Sequence, residues 1–327
     1  MKVLFIGGTG VISTSCSELC IERGIELYHL NRGRSIRMAP EGVKTIHSDI
    51  RNIEATRDAI SSQKFDVVVD WIAFTTDHVK NDYELFKDKT DQYVFISSAS
   101  AYQKPVLKIP ITENTPLHNP NWAYSQAKID CENYLMDLYK EGKFPVTIVR
   151  PSHTYDKTRT PFKGDYTFLN RLKTGKKILI HDDGNSLWTM THASDFAKGF
   201  VGLLGNNKTV GKAYHITSDE NLTWNQIAQI FADRMNVKLT TAHIPAEFIA
   251  EYDEDLGVGI TWDKRHPGVF DNSKIKSIVP EFKAVIPFEE GASKVIDWYE
   301  SNPDQQIVDQ ELDNLFDRII NDYESNK

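Results

Sequence analysis

Lys2-Val3-Leu4-Phe5-Ile6-Gly7-Gly8-Thr9-Gly10-Val11-Ile12-Ser13 is the stretch that decides the fold. Val3 to Ile6 is an apolar, β-branched and aromatic run, as a strand buried on both faces requires. It breaks into glycines, after which Ile12, Cys16, Leu19 and Cys20 recur at helical spacing. Arg23-Gly24 then supplies a cation and a C-terminal glycine. Strand, glycine turn and helix in this order set a helix N-terminus and its free N–H groups against a phosphate. In the pattern Gly7-x-x-Gly10-x-x-Ser13, Gly7 suits the tight turn and Gly10 the close approach of a pyrophosphate. Ser13 is small enough for the place where helix meets sheet. The reading is a dinucleotide site over Gly7, Thr9, Gly10, Val11 and Ile12. The plainer alternative is an ordinary strand-to-helix turn.

Ile25 to Leu30 reads as the second strand, followed by Asn31-Arg32-Gly33-Arg34. A site selective for NAD places a carboxylate here, about 20 residues after the glycines, for the ribose 2′-hydroxyl. No carboxylate stands at this point. Asn31 and Arg32 offer donors and positive charge, which suits the 2′-phosphate of NADP. NAD stays open, because a basic surface loop has the same composition.

The chain has 327 residues, enough for two domains or one domain with a lobe. Its 40 % hydrophobic and 26 % charged residues are those of a soluble globular protein. A net charge of −8 without a long Lys/Arg tract argues against nucleic acid as the main partner. No apolar run approaches the roughly 18 residues of a membrane span, and no leader pattern precedes the first strand, so a cytoplasmic protein is expected. Cys16, Cys20 and Cys131 suit a reducing compartment, and no zinc-like spacing appears, so no metal is expected.

Further strands read at Thr45-Ile46, Phe65 to Val69, Tyr93 to Ile96 and Val146 to Val149, with helices between them and Tyr124 to Tyr139 the clearest. This alternation predicts an α/β fold: a Rossmann-type, doubly wound parallel sheet with a smaller C-terminal substrate lobe. The expected division is a dinucleotide-binding domain over 1–155, with segments near 186–217 returning to it, and a substrate lobe over 156–300. Residues 301–327 follow as an amphipathic helix, Gln306 to Tyr323, packed on the body or on another subunit; a homodimer is compatible with this. In the second half, Ile178 to Ile180 and Ala213 to Ile216 read as strands and Ser194 to Leu204 as a helix. Thr223 with Gln226 forms a capping box.

Tyr124 and Lys128 lie one turn apart on a helix face. A nearby ammonium favours the phenolate, lowering a pKa of about 10 toward working pH. Such a tyrosine can exchange the proton of a hydroxyl while a nicotinamide exchanges the hydride. The pair follows Phe95-Ile96-Ser97-Ser98-Ala99-Ser100, a strand running into hydroxyl residues at its carboxyl end, where such sheets gather function.

These residues together resemble the short-chain dehydrogenase/reductase superfamily, in its extended, epimerase/dehydratase-like branch. The resemblance rests on Gly7-Gly8-Thr9-Gly10, Asp49-Ile50-Arg51, Ser97 to Tyr102, Tyr124 with Lys128, Arg150-Pro151-Ser152, and Asp183-Gly184 leading to His192-Ala193-Ser194-Asp195. It implies that Tyr124 is the acid/base, that Ser98, four before Tyr102, is its serine partner, and that Lys128 binds the nicotinamide ribose. It further implies that Asp49 and Ile50 contact adenine, that Ala73 and Ser97 line the cofactor channel, and that His153 sits near the nicotinamide. Ser100, Trp188 and Arg265 face the substrate on the same reading. One departure stands out. Trp188 occupies the place of an arginine that grips pyrophosphate in sugar-nucleotide members, while Arg265 resembles the second such arginine. An indole does not replace a bidentate guanidinium.

Other candidates have bland readings. His181-Asp182-Asp183 is a turn before Gly184 rather than a metal pair. Glu251 to Asp255 is a solvated face. Trp71, Trp188, Trp224 and Trp262 either line a pocket or fill the core. The functional expectation is an NADP-dependent epimerase or dehydratase acting on a sugar or nucleotide sugar through Ser98, Tyr124 and Lys128. The alternatives are an NADPH-dependent carbonyl reductase with a non-nucleotide substrate, and a non-catalytic, RNA-associated member of the branch.

Overall fold

The computed structural model describes residues 1–35 and 37–325. Its strands are β1 (Lys2–Ile6), β2 (Glu26–Asn31), β3 (Lys44–His47), β4 (Phe65–Asp70), β5 (Thr90–Ile96), β6 (Val146–Pro151) and β7 (His153–Tyr155) in the first half. The second half adds β8 (Ile178–His181), β9 (Leu187–Trp188), β10 (Met190–His192), β11 (Lys212–Ile216), β12 (Leu222–Thr223) and β13 (Thr241–Ile244). The helices are α1 (Val11–Glu22), α2 (Ile53–Ala59), α3 (Thr76–Phe86), α4 (Ala123–Lys140), α5 (Tyr166–Lys173) and α6 (Ala193–Val201). They continue with α7 (Trp224–Arg234), α8 (Ala246–Ala250), α9 (Glu254–Gly259), α10 (Ser273–Ile278), α11 (Phe288–Ser301) and α12 (Gln310–Ser325).

The main sheet has seven parallel strands in the order β11-β6-β5-β4-β1-β2-β3. Val3 to Ile6 of β1 have no exposed surface, as expected of a central strand covered on both faces. One apolar layer packs α1 and α6 against one face of the sheet; the other joins α3 and α4 to the opposite face. Chain order reverses between β1 and β4, so the crevice at their carboxyl ends is the place for a ligand. Strand β11 and helix α6, late in the chain, belong to this sheet layer.

Three two-stranded sheets, β10-β7, β12-β9 and β13-β8, build the lobe above those carboxyl ends. Its core gathers Phe168, Trp188, Trp224, Phe231 and Phe288. Thr223 caps α7 with the reciprocal Gln226 contacts that the sequence spelled out. The C-terminal helix begins at Gln310, later than its apolar spacing suggests, because Pro303–Gln305 first forms a short 3₁₀ turn. It packs on the body: Asp313 meets the buried guanidinium of Arg171 on α5 at 2.5 Å. It runs on to Ser325, two residues past the expected end at Tyr323; residues 326 and 327 of the expected C-terminal segment lie outside the described residues. No described helix is long and apolar enough to cross a membrane.

Candidate active site

The turn after β1 is built by its glycines. Gly7 and Gly8 have φ of +97° and +105°, and a Cβ on Gly8 would lie 2.6 Å from the ring of buried His29. Ser13 Oγ accepts from Gly10 N–H at 2.8 Å, and Ser17 donates to the Ser13 carbonyl at 2.7 Å and meets His29 Nε2 at 2.8 Å. Burial keeps His29 neutral, its pKa lowered to about 4. Helix α1 therefore starts rigidly, with first-turn N–H groups that have no partner inside the helix.

A cleft of about 520 Å³ opens over this turn. Gly7, Thr9, Gly10, Val11 and Ile12 form one wall; Ser97, Ser98, Tyr124 and Lys128 form the other. Trp71 and Phe74, from the segment after β4, complete it. The sequence marked Trp71 as a pocket or core residue without choosing between them and missed Phe74, although the carboxyl end of a strand beside the switch point is the signal for both. Trp71 Nε1 and Ser97 Oγ are buried in this wall without a partner.

Lys128 is buried, and its Nζ donates to the carbonyls of Ala73 at 2.7 Å and Ile96 at 2.8 Å. Burial lowers its pKa to about 8. Ala73 thus holds Lys128 through its backbone, its own side chain being fully buried. The Tyr124 ring, 37 % exposed in the cleft, has its centroid 5.9 Å from Lys128 Nζ. Its phenol pKa is raised, mainly by burial, with a Ser98 hydrogen bond working against the shift. The expected lowering by the ammonium does not prevail: burial outweighs it, and Asp263 adds to the rise. Ser98 Oγ is 2.8 Å from Ser100 Oγ, which also accepts from Ser125 Oγ at 2.8 Å, so the hydroxyls form a chain.

Other sequence candidates scatter. Asn31 Oδ1 accepts from Gly33 N–H at 3.0 Å. Arg32, 59 % exposed, reaches Asp49 only at 3.8 Å. Ile50 is buried in the sheet's core. His153 does not line the glycine cleft. It faces two other cavities, of about 110 and 540 Å³, and burial lowers its pKa to about 4. Trp188 walls the smaller one beside Ser98 and Ser100. Arg265 does not enter it: Asp182 at 3.1 Å and Glu247 hold its guanidinium. The charged pair at that cavity is instead Lys104 and Asp263, 3.1 Å apart, which no sequence pattern marks. Among the described residues, no cluster of three or more His, Cys, Asp or Glu could hold a metal.

A family model described as the NAD dependent epimerase/dehydratase family matches residues 3–217. The chain belongs to the NAD dependent epimerase/dehydratase family. Its epimerase, dehydratase and reductase relatives make it an NAD(P)-dependent enzyme of that general kind. It is 24 % identical over 293 residues to the 2′-dehydrokanamycin reductase of Streptomyces kanamyceticus, covering 86 % of this chain and 80 % of that one. It is 24 % identical to the dTDP-D-glucose 4,6-dehydratase of Bos taurus, over 92 % of this chain and 89 % of the relative. The fold matches UDP-glucose 4-epimerase from Bifidobacterium longum, solved with NAD+ and UDP, with a TM-score of 0.73 at 17 % identity. That match covers 93 % of this chain and all of the other. In this family member, then, the glycine cleft fits a dinucleotide on its own evidence: a turn without Cβ atoms, an open helix N-terminus and two unpartnered polar groups.

Proposed function

We propose that the protein is an NADP(H)-dependent oxidoreductase or epimerase that works at a hydroxyl-bearing or keto carbon of a sugar or nucleotide sugar. The observation that carries this reading is one cleft in which Ser98, Tyr124 and Lys128 face the Gly7–Gly10 turn. Bound nicotinamide would supply or accept the hydride at the substrate carbon. Tyr124 Oη moves the proton of the substrate oxygen, and its raised pKa keeps it a proton donor at neutral pH. Ser98 Oγ hydrogen-bonds the same oxygen and Tyr124. Lys128, anchored by two carbonyls, places a positive charge beside the ribose. NADP is preferred because Arg32 is exposed and only loosely paired after β2.

A second reading, reduction of a carbonyl substrate without a nucleotide, is favoured by Arg265. Its engagement by Asp182 and Glu247 takes away the expected pyrophosphate grip. The similarity to a reductase of 2′-dehydrokanamycin points the same way. The test is turnover of NADPH with keto-sugars and of NADP+ with UDP- and dTDP-sugars, in wild type and Tyr124→Phe. Loss of the hydroxyl alone should cost about 10²–10⁴ in rate. Near wild-type turnover by Tyr124→Phe removes the assignment, and net consumption of NADPH selects the reductase.

A further inference from the structure

Behind the lysine lies a second set of ionisable groups. Asp70, the last residue of β4, and Asp82, on α3, are both fully buried, and their carboxyl groups are within hydrogen-bonding reach of each other. Asp70 Oδ1 accepts from Ile72 N–H at 2.5 Å and Ala73 N–H at 2.7 Å. Asp82 Oδ2 accepts from Tyr93 O–H at 2.6 Å. That leaves Asp70 Oδ2 and Asp82 Oδ1, both buried, each without a donor. Two ionised carboxylates buried beside each other, each with an oxygen that no donor reaches, are prohibitively costly, whereas one proton shared between the groups relieves both.

We propose that Asp70 and Asp82 share one proton, and that the charge remaining on Asp70 is the buried counter-ion that positions Lys128 in the cofactor cleft. The path is short. Asp70 fixes the 71–73 turn by two N–H bonds, and the carbonyl of Ala73 in that turn accepts from Lys128 Nζ. Arg51 Nη2 donates to the Ile72 carbonyl at 2.5 Å and holds the same turn from outside. The ionisable groups around the lysine are Tyr124, Cys131 and Glu132 on its own helix, Asp70 on β4 and His78 on α3. Asp70 is the foremost of those that favour the charged lysine, and burial opposes it. Around the aspartates stand Arg51, His78, Tyr93 and Cys131. Burial, and then Asp70, push the Asp82 carboxyl well above the usual carboxylate range. Asp70 and Asp82 are thus positioning residues; neither lines the cleft.

The inference rests on the cofactor reading above, so its test has one arm that needs no cofactor. Infrared difference spectra of wild type against Asp82→Asn should show a protonated carboxylic-acid carbonyl that persists through neutral pH and vanishes in the variant. Its absence at pH 7 overturns the shared proton. The second arm titrates NADPH by fluorescence across pH. Binding should weaken in wild type as pH rises through about 8, where Lys128 loses its charge. Removing a charge this close shifts a partner by roughly 1–3 pH units, so Asp70→Asn should move that limb down by this amount. Asp82→Asn, which leaves Asp70 charged, should keep it near wild type, and Lys128→Met should abolish it. A limb that Asp70→Asn leaves in place overturns the counter-ion role. If Asp70→Asn does not fold, the infrared arm still decides the shared proton. Binding of neither NADPH nor NADH by wild type would sink the cofactor reading and leave the infrared result standing.

Discussion

Two arginines show how position decides what a charge can do. Arg265 is engaged by Asp182 and Glu247, so turning it to a ligand would strip two carboxylates of their partner. Arg32 is mostly in water, and its 3.8 Å approach to Asp49 is a surface pair of little worth. It can therefore turn to a phosphate at almost no cost. Arg32→Ala should weaken NADPH by about 1.5–3 kcal/mol, the scale of a charge-assisted contact, and leave NADH nearly unchanged. Parallel fluorescence titrations check this, and equal losses for both cofactors would remove the 2′-phosphate assignment. The two cases also show what the sequence makes legible. The place of Arg32 just after β2 could be read because it follows from local order. The fate of Arg265 could not, because Asp182 lies 83 residues away and meets it only in the folded lobe. Lys104 and Asp263 escaped notice for the same reason.

At the scale of elements, the β1–α1 turn is the most constrained piece. Gly8 combines a left-handed φ with a neighbour that fills the space of its missing Cβ. Gly8→Ala meets backbone strain of about 1–3 kcal/mol and a clash of similar size with His29. A lower melting temperature and lost NADPH binding are expected, read by circular dichroism and titration. Adding His29→Ala should recover only the part due to the clash. Unchanged melting in Gly8→Ala would mean the turn is looser than described. Long elements were readable because their periodicity is local: Tyr124 to Tyr139 became Ala123–Lys140, and the strand expected at Phe65 became β4 with Asp70 added. Strands β9, β10 and β12 are two or three residues long and exist through their tertiary partners, which no short window encodes.

At the scale of the whole molecule, the glycine cleft sits on the sheet, while the lobe shapes the larger of the two cavities that His153 faces. Phe316 of α12 is part of that cavity's wall. The helix is held by Arg171, 2 % exposed, between Asp313 and Asp317, with Lys176 bridging the same two carboxylates. Breaking a buried pair of this kind costs about 3–5 kcal/mol, toward the low end here because Lys176 remains. Arg171→Met should thus speed proteolytic cleavage of the C-terminal segment and leave NADPH titration as in wild type. Cleavage at the wild-type rate would show that apolar packing alone holds the helix. Because Arg171, Lys176 and Lys177 meet this 16-residue helix mainly through its carboxylates, it is also an exchangeable panel. A lineage, or an engineer, could swap it for a helix of different bulk that still offers an aspartate to Arg171. That would resize the cavity walled by Phe316 while leaving the glycine cleft untouched.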